Sequence, residues 1–327
     1  MKLPHRFRVD FMDAITFSKY IGLFSNLHRH ARSGLGYAPH KPILLLAILD
    51  EVQRGNITNN FIPITPELVA SFRAYWQALV PMGQWRERMF YPFRYLIQDG
   101  FWELVKNGAS LTAKQLGDPV SINQLNSVID GGRFSVDLWD LLQDTVAVNG
   151  LRSLLLKTYF NTTETDVAKE LPTSPIDYEA QKLIAEARSK FRPSMTRERK
   201  DDDGYFVRHA LFPRVVKSLY DGACAVCDLA VHTDDSGGIV DAAHIMPFGK
   251  FHNDDPRNGI AFCKNHHWGF DAGWFAVSAD HKVLVSTRLK NHLSYLTSGS
   301  PLRLPSQVEY APAQEALTWH RANKFLR

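Results

Sequence analysis

Cys224-Ala-Val-Cys227, then Asp241-Ala-Ala-His244-Ile-Met-Pro247, then Asn258-Gly-Ile, then Cys263-Lys-Asn-His266-His267-Trp-Gly-Phe-Asp271 is the stretch on which the reading of this chain turns. Its first pattern is a set of four soft donors. Cys224/Cys227 and Cys263/His266 are two ligand pairs of equal spacing, and a turn at such spacing presents both donors to one tetrahedral ion. Three thiolates and one imidazole suit zinc in a structural site. The chain has only these three cysteines, all in its C-terminal half. An odd count with histidine close by favours a metal over a disulfide framework.

The second pattern shares the same residues' neighbourhood but has different chemistry. His267 and Asp271 stand four apart, so on a helix they occupy one face and can hold one divalent ion. His244 ends a strand-like segment stopped by Pro247, and Asn258 falls in the connection that follows. His252, Asp254 and Asp255 read as a solvated turn.

Taken together, His244, Asn258 and His267 on a strand–loop–helix frame resemble the ββα-metal fold of HNH nucleases, over roughly residues 220–275. The resemblance is to the subclass with Ala-Ala-His-Ile before the loop and Phe-Asp after the last histidine. It implies that His244 is the general base activating water, that Asn258 pins the loop aiming His244, and that His267 and Asp271 hold Mg²⁺ or Mn²⁺. Many such nucleases carry a ligand immediately before the base, where this chain has Ala243. Asp241 is the nearest substitute, yet strand alternation sends Asp241 and Ala243 one way and His244 the other.

Working outward, the 327 residues and 45% hydrophobic content support two packed domains. The longest apolar run, Ile43 to Leu49, is far too short to span a bilayer. No signal peptide is evident, so a cytoplasmic protein is expected. The net charge of +4 excludes neither nucleic acid nor protein partners, since neither half is polybasic. A buried helix is predicted from about Pro42 to Arg54, a second from Pro66 to Leu79 behind the N-cap Thr65, and helical structure from Asp137 to Phe160. Residues 161–180 are rich in Thr, Ser and Pro. Boundaries therefore fall at a domain of residues 1–165, a linker 166–200 and a second domain 201–327, the last entered by a helix from Val207 to Tyr220. The fold class is α+β: an α-rich N-terminal recognition domain, then a ββα-metal domain with a structural zinc.

In the N-terminal part, Tyr37-Ala-Pro-His40-Lys41-Pro42, Phe90-Tyr91-Pro92-Phe93-Arg94-Tyr95 and Asp99-Gly-Phe-Trp102 resemble the sulfur-binding domain of phosphorothioate-dependent restriction endonucleases, over about residues 17–160. The resemblance implies that Tyr91, Pro92 and Tyr95 line an apolar dimple for sulfur, although Tyr95 is small in some relatives. It also implies that His40 and Lys41 provide polar and cationic contacts at a helix N-terminus, where a phosphate is welcome. Arg32 and Arg94 are further candidates for the DNA backbone, with Arg29, Arg86 and Arg88 nearby. The implied activity is hydrolysis of double-stranded DNA carrying phosphorothioate links, by a homodimer if both strands are cut. An HNH nuclease directed to another modification or to plain DNA stays open, as does a non-catalytic zinc-knuckle DNA-binding protein.

Overall fold

The structure is a computed structural model that describes residues 5–112, 115–117, 120–186, 189–193, 203–233, 237–290 and 296–327. It divides into two compact units, one of residues 1–178 and 201–207 and the other of residues 179–200 and 208–327.

The first unit is mostly helical. It contains α1 (His5–Ser25), the short ladder β1 (Ala31–Arg32) with β2 (Gly36–Tyr37), α2 (His40–Gln53), α3 (Pro66–Leu79) and α4 (Phe90–Tyr95). β3 (Trp102–Lys106), β4 (Ala109–Ser110), α5 (Ile122–Val128), β5 (Gly131–Phe134), α6 (Val136–Leu141), α7 (Thr145–Phe160) and α8 (Glu164–Glu170) complete it. β3, β4 and β5 form one antiparallel sheet in the order β4-β3-β5, and β1 and β2 pair separately.

α2 is the unit's spine. Every residue from Ile43 to Leu49 is fully buried, which explains why its sequence is apolar all round rather than striped. Its buried acids are matched to partners. Asp50 accepts from Tyr75 Oη at 2.9 Å and pairs with Arg152 at 3.1 Å, while Glu51 accepts from Ser71 Oγ at 2.6 Å. The helix starts two residues before Pro42, at His40. α3 begins where its cap predicts, with Thr65 Oγ1 accepting from Leu68 N at 3.1 Å. The span expected to be helical from Asp137 to Phe160 is two helices, broken at residues 142–144. Asp144 caps the second by accepting from Val146 N at 2.9 Å.

The sheet locks α4 in place through Trp102, which is buried and donates from Nε1 to the Phe93 carbonyl at 3.0 Å. Gly132, on the neighbouring strand, lies so close under the indole that any Cβ there would collide with it.

α9 (Pro175–Glu186) and α10 (Asp203–Leu219) follow. The stretch 166–200, expected as a linker, thus contains most of α8 and all of α9, with Val167 and Leu183 buried; residues 187–188 and 194–200 lie outside the described ones. The helix expected from Val207 to Tyr220 is α10, four residues longer at its start.

The second unit contains β6 (His232–Thr233), β7 (Gly237–Gly238), β8 (Val240–His244), α11 (Phe248–Phe251), β9 (Gly259–Cys263), α12 (Lys264–Asp271), β10 (Phe275–Val277), β11 (Val283–Val285) and α13 (Gln314–Asn323). β8 and β9 pair antiparallel with Asp241 opposite Phe262 and His244 opposite Gly259, and α12 leaves β9 without a loop. This is the ββα frame. Beneath it, Phe212 and Val216 of α10 pack with Ile260, Phe262 and Phe270 in one apolar core. Among the described residues, no helix is long and apolar enough to cross a membrane.

Candidate active site and metal centre

The four soft donors converge. Cys224 Sγ lies 3.4 Å from His266 Nδ1, Cys263 Sγ lies 3.1 Å from the same nitrogen, and Cys227 and Cys263 sulfurs are 4.0 Å apart. All four ligand atoms fall within 4.8 Å of one another. Donors set tetrahedrally around zinc stand roughly 3.3–3.8 Å apart, so the group fits that ion. It is also electrostatically poised. Burial opposes ionisation of Cys224, but hydrogen bonds from His266 and from backbone N–H groups outweigh it and hold the thiol at about 6. Burial pushes Cys227 up to about 12. One sulfur is ready as thiolate, and a cation among them is what would draw the proton from the next.

On the frame beside this group, His244 ends β8 with its ring stacked on Phe212, centroids 3.9 Å apart and planes within 9°. That platform exists because residue 259, opposite His244, is glycine. A Cβ there would meet Val216 Cγ2 at 2.5 Å and Phe212 Cζ at 2.9 Å. Asn258 is fully buried and works on the loop after His244. Its Oδ1 accepts from Met246 N at 2.9 Å, and its Nδ2 donates to the carbonyls of Met246 and Asn253, both at 3.1 Å. Three bonds from one amide tie both ends of the 246–253 loop to the start of β9.

His267 stands between two carboxylates. Its Nδ1 lies 3.3 Å from Asp241 Oδ2 and its Nε2 lies 3.6 Å from Asp271 Oδ2. Asp241 is held ionised: burial opposes this, but hydrogen bonds from Lys264 and His267 outweigh it. Lys264 Nζ reaches both oxygens of Asp241, at 2.6 and 2.8 Å. β8 pairs with β9 in unbroken register from Val240 to His244, so Asp241 and Ala243 share one face of the ladder; Ala243 is fully buried, while the Asp241 side chain is 32% exposed beside His267. Among the described residues, only the three cysteines with His266 gather three or more candidate ligands within one ion's reach. His267 and Asp271 offer a two-donor site with open positions, the kind Mg²⁺ and Mn²⁺ use with phosphate oxygens and water.

One reading of the loop is corrected. Asp254 is no solvated turn residue: it is 2% exposed, and its Oδ1 lies 3.0 Å from His244 Nε2. Asp255 shapes the turn by accepting from Arg257 N at 2.9 Å and from its guanidinium at 2.7 Å. Nothing in the local sequence marks Asp254, since the residues enclosing it come from α10 and β8.

The N-terminal candidates fare unevenly. His40 opens α2 with its Nε2–H donating to the Arg86 carbonyl at 2.9 Å and its ring among Trp76, Trp85 and Tyr91. Burial pushes its pKa down to about 4, so it is neutral near pH 7. Tyr91 is 44% exposed, Tyr95 is half-buried and takes a 2.8 Å hydrogen bond from Arg94, and Arg32 is exposed. Pro92 is buried. Lys41 is the clear correction. Instead of facing solvent for a phosphate, it is 6% exposed and its Nζ donates to Asp99 Oδ2 at 2.6 Å.

Residues 224–278 match the family described as HNH endonuclease. No curated protein matches the chain. Solved structures that match include a modification-dependent TagI restriction endonuclease, at 27% identity over 36% of this chain and 38% of that one, with a TM-score of 0.29. A second holds the sulfur-binding and SRA domains of ScoMcrA complexed with phosphorothioated DNA, at 21% identity over 46% and 45%, with a TM-score of 0.33. A third is the type IV phosphorothioation-dependent restriction endonuclease ScoMcrA, at 12% identity over 76% and 94%, with a TM-score of 0.33. The chain spans less than half the length of the first two of these. What the family match and the ββα frame establish together is an HNH endonuclease domain in the C-terminal half of this chain.

Proposed function

We propose that the chain is a modification-dependent restriction endonuclease: residues 1–165 select phosphorothioate-bearing double-stranded DNA, residues 166–200 connect, and residues 201–327 hydrolyse the phosphodiester bond. The observation that carries the nuclease half is the match of residues 224–278 to HNH endonucleases, with His244 at the end of β8, Asn258 in the turn just before β9 and His267 on α12. In this reading His244 takes the proton from the attacking water, and Asn258 keeps its loop fixed through the three amide bonds. His267 and Asp271 hold Mg²⁺ or Mn²⁺, with Asp241 behind the imidazole as its orienting carboxylate. Such an ion, when bound, supplies charge stabilisation at the scissile phosphate and the departing 3′ oxygen. Zinc on Cys224, Cys227, Cys263 and His266 braces the frame. Two copies, one per strand, would account for a double-strand cut in cytoplasmic DNA.

The substrate half rests on the motifs around His40 and Tyr91 and on what surrounds them. A non-bridging sulfur is larger, softer and less hydrated than oxygen, so an apolar surface accepts it where oxygen would suffer a desolvation cost. The exposed ring of Tyr91, beside a neutral His40 packed on two tryptophans, is such a surface. Arg32 and Arg94 lie in the same unit as candidates for backbone phosphates. A specific observation favours a second reading. With Lys41 enclosed by Asp99 and the bulky Tyr95 where some relatives have a small residue, the surface around Tyr91 would take another DNA modification. The test is cleavage and binding of matched plasmids, sulfur-modified, otherwise modified and plain, at one salt concentration. Preference for the sulfur-modified plasmid supports the first reading; equal affinity and cutting for all three refute it.

A further inference from the structure

Asp254 is the most deeply buried carboxylate near His244, and the frame spends considerable structure on it. It is 2% exposed, with Oδ1 at 3.0 Å from His244 Nε2 and Oδ2 at 3.5 Å from His209 Nδ1. Both imidazoles are backed by aromatic rings. His244 lies flat on Phe212, and His209 stacks on Phe248 with centroids 4.2 Å apart. Phe248 also borders His244, at 5.3 Å. Asn253, the residue before, is itself tied down, donating from Nδ2 to the Arg192 carbonyl at 3.0 Å and accepting Asp255 N at 2.9 Å. A carboxylate enclosed to this degree is not there for solubility.

Its protonation state follows from its neighbours. Burial opposes ionisation of Asp254, but the imidazoles of His209 and His244 outweigh it and hold the carboxyl below its ordinary value. An ionised carboxylate only accepts hydrogen bonds, so the His244 nitrogen facing it must carry the hydrogen. A neutral imidazole has one such hydrogen, which leaves Nδ1 as the lone-pair nitrogen. Among the described residues no protein group bonds to that Nδ1, and it is not among the buried unpartnered atoms, while the side chain as a whole is 19% exposed.

We propose that Asp254 is a positioning residue that fixes His244 in the Nε2–H tautomer, so that Nδ1 is the atom that accepts the proton of the attacking water. In the step, the water O–H bond breaks and its proton goes to Nδ1, while its oxygen forms the new bond to phosphorus as the bond from phosphorus to the 3′ oxygen breaks; the 3′ oxygen leaves with that electron pair and takes a proton from solvent water. Asp254 steadies the imidazolium without itself taking the proton. The inference deepens the nuclease reading and rests on it.

The test uses the full chain with ¹⁵N-labelled histidine, the His244 resonance being assigned by its loss in His244→Ala. The expected spectrum has a protonated Nε2 and a bare Nδ1 at neutral pH, and Asp254→Asn is expected to shift His244 toward the other tautomer. Cleavage by Asp254→Asn should fall roughly 100- to 10,000-fold, the range of a general base's contribution, with DNA affinity within about threefold of the parent. Zinc content and melting temperature confirm that the variant is folded; if it is not, the parent's own tautomer decides. A protonated Nδ1 in the parent overturns the proposal, as does a folded Asp254→Asn that cuts within about threefold of the parent. A parent that cuts no DNA sinks the nuclease reading instead, and the tautomer then still decides whether Asp254 sets the state of His244.

Discussion

Lys41→Ala should damage the fold of the N-terminal unit far more than it damages a DNA contact. Lys41 and Asp99 are each 6% exposed, and their charged groups meet at 2.6 Å. Asp99 also accepts from His28 N at 2.7 Å, so the pair ties the start of α2 to the segment after α1 and to the turn after α4. Burial pulls the Lys41 pKa down, against the raising effect of Asp99, which shows how much desolvation the pair has to offset. Removing one member leaves the other charged and enclosed, at a cost of about 3–5 kcal/mol. Read by hydrogen exchange at α2 amides in the full chain, that is an acceleration of about 150- to 5,000-fold for the most protected positions. The double variant Lys41→Met, Asp99→Leu should recover most of the loss, short by about 1 kcal/mol because His28 N–H loses its acceptor. A Lys41→Ala variant whose α2 exchange stays within about fivefold of the parent, and whose DNA binding instead loses salt dependence as it would with a lost phosphate contact, would refute a structural role for the pair.

Two further outcomes follow from the nuclease unit. Cys227→Ser should lower zinc content and melting temperature together, since metal-binding energy in such a site is folding energy; full zinc retention with normal melting would contradict the assignment. Gly259→Ala should cost about 1–3 kcal/mol by overpacking against Val216 and Phe212, and should reduce cleavage by tilting the platform under His244. Urea unfolding and cleavage rate check both parts, and a variant with parental values in each would show that the platform does not position the ring.

Contiguous motifs made the nuclease frame readable from the sequence. The zinc donors come as two local pairs, β9 runs directly into α12, and a cap such as Thr65 announces its helix within three residues. What escaped the reading depends on partners distant in sequence. Lys41 looks like a solvent-facing cation until Asp99, 58 residues on, closes over it. Asp254 looks like a turn residue until α10 and β8 enclose it. The Thr-, Ser- and Pro-rich stretch near residue 170 looks like a linker, yet Thr163 caps α8 by accepting from Asp166 N at 3.3 Å and Pro175 opens α9. The same residue types serve as helix punctuation and as linker, and only the buried Val167 and Leu183 separate the two uses.

The central claim is that this chain cuts DNA with His244 as its base, and the direct measurement is plasmid cleavage by the zinc-loaded full chain and by His244→Ala, with Mg²⁺ or Mn²⁺. The parent should linearise or nick sulfur-modified plasmid, and His244→Ala should bind the same DNA with nearly parental affinity but leave it intact. Near-parental cleavage by His244→Ala, or no cleavage of any DNA by the parent with either ion, would contradict it.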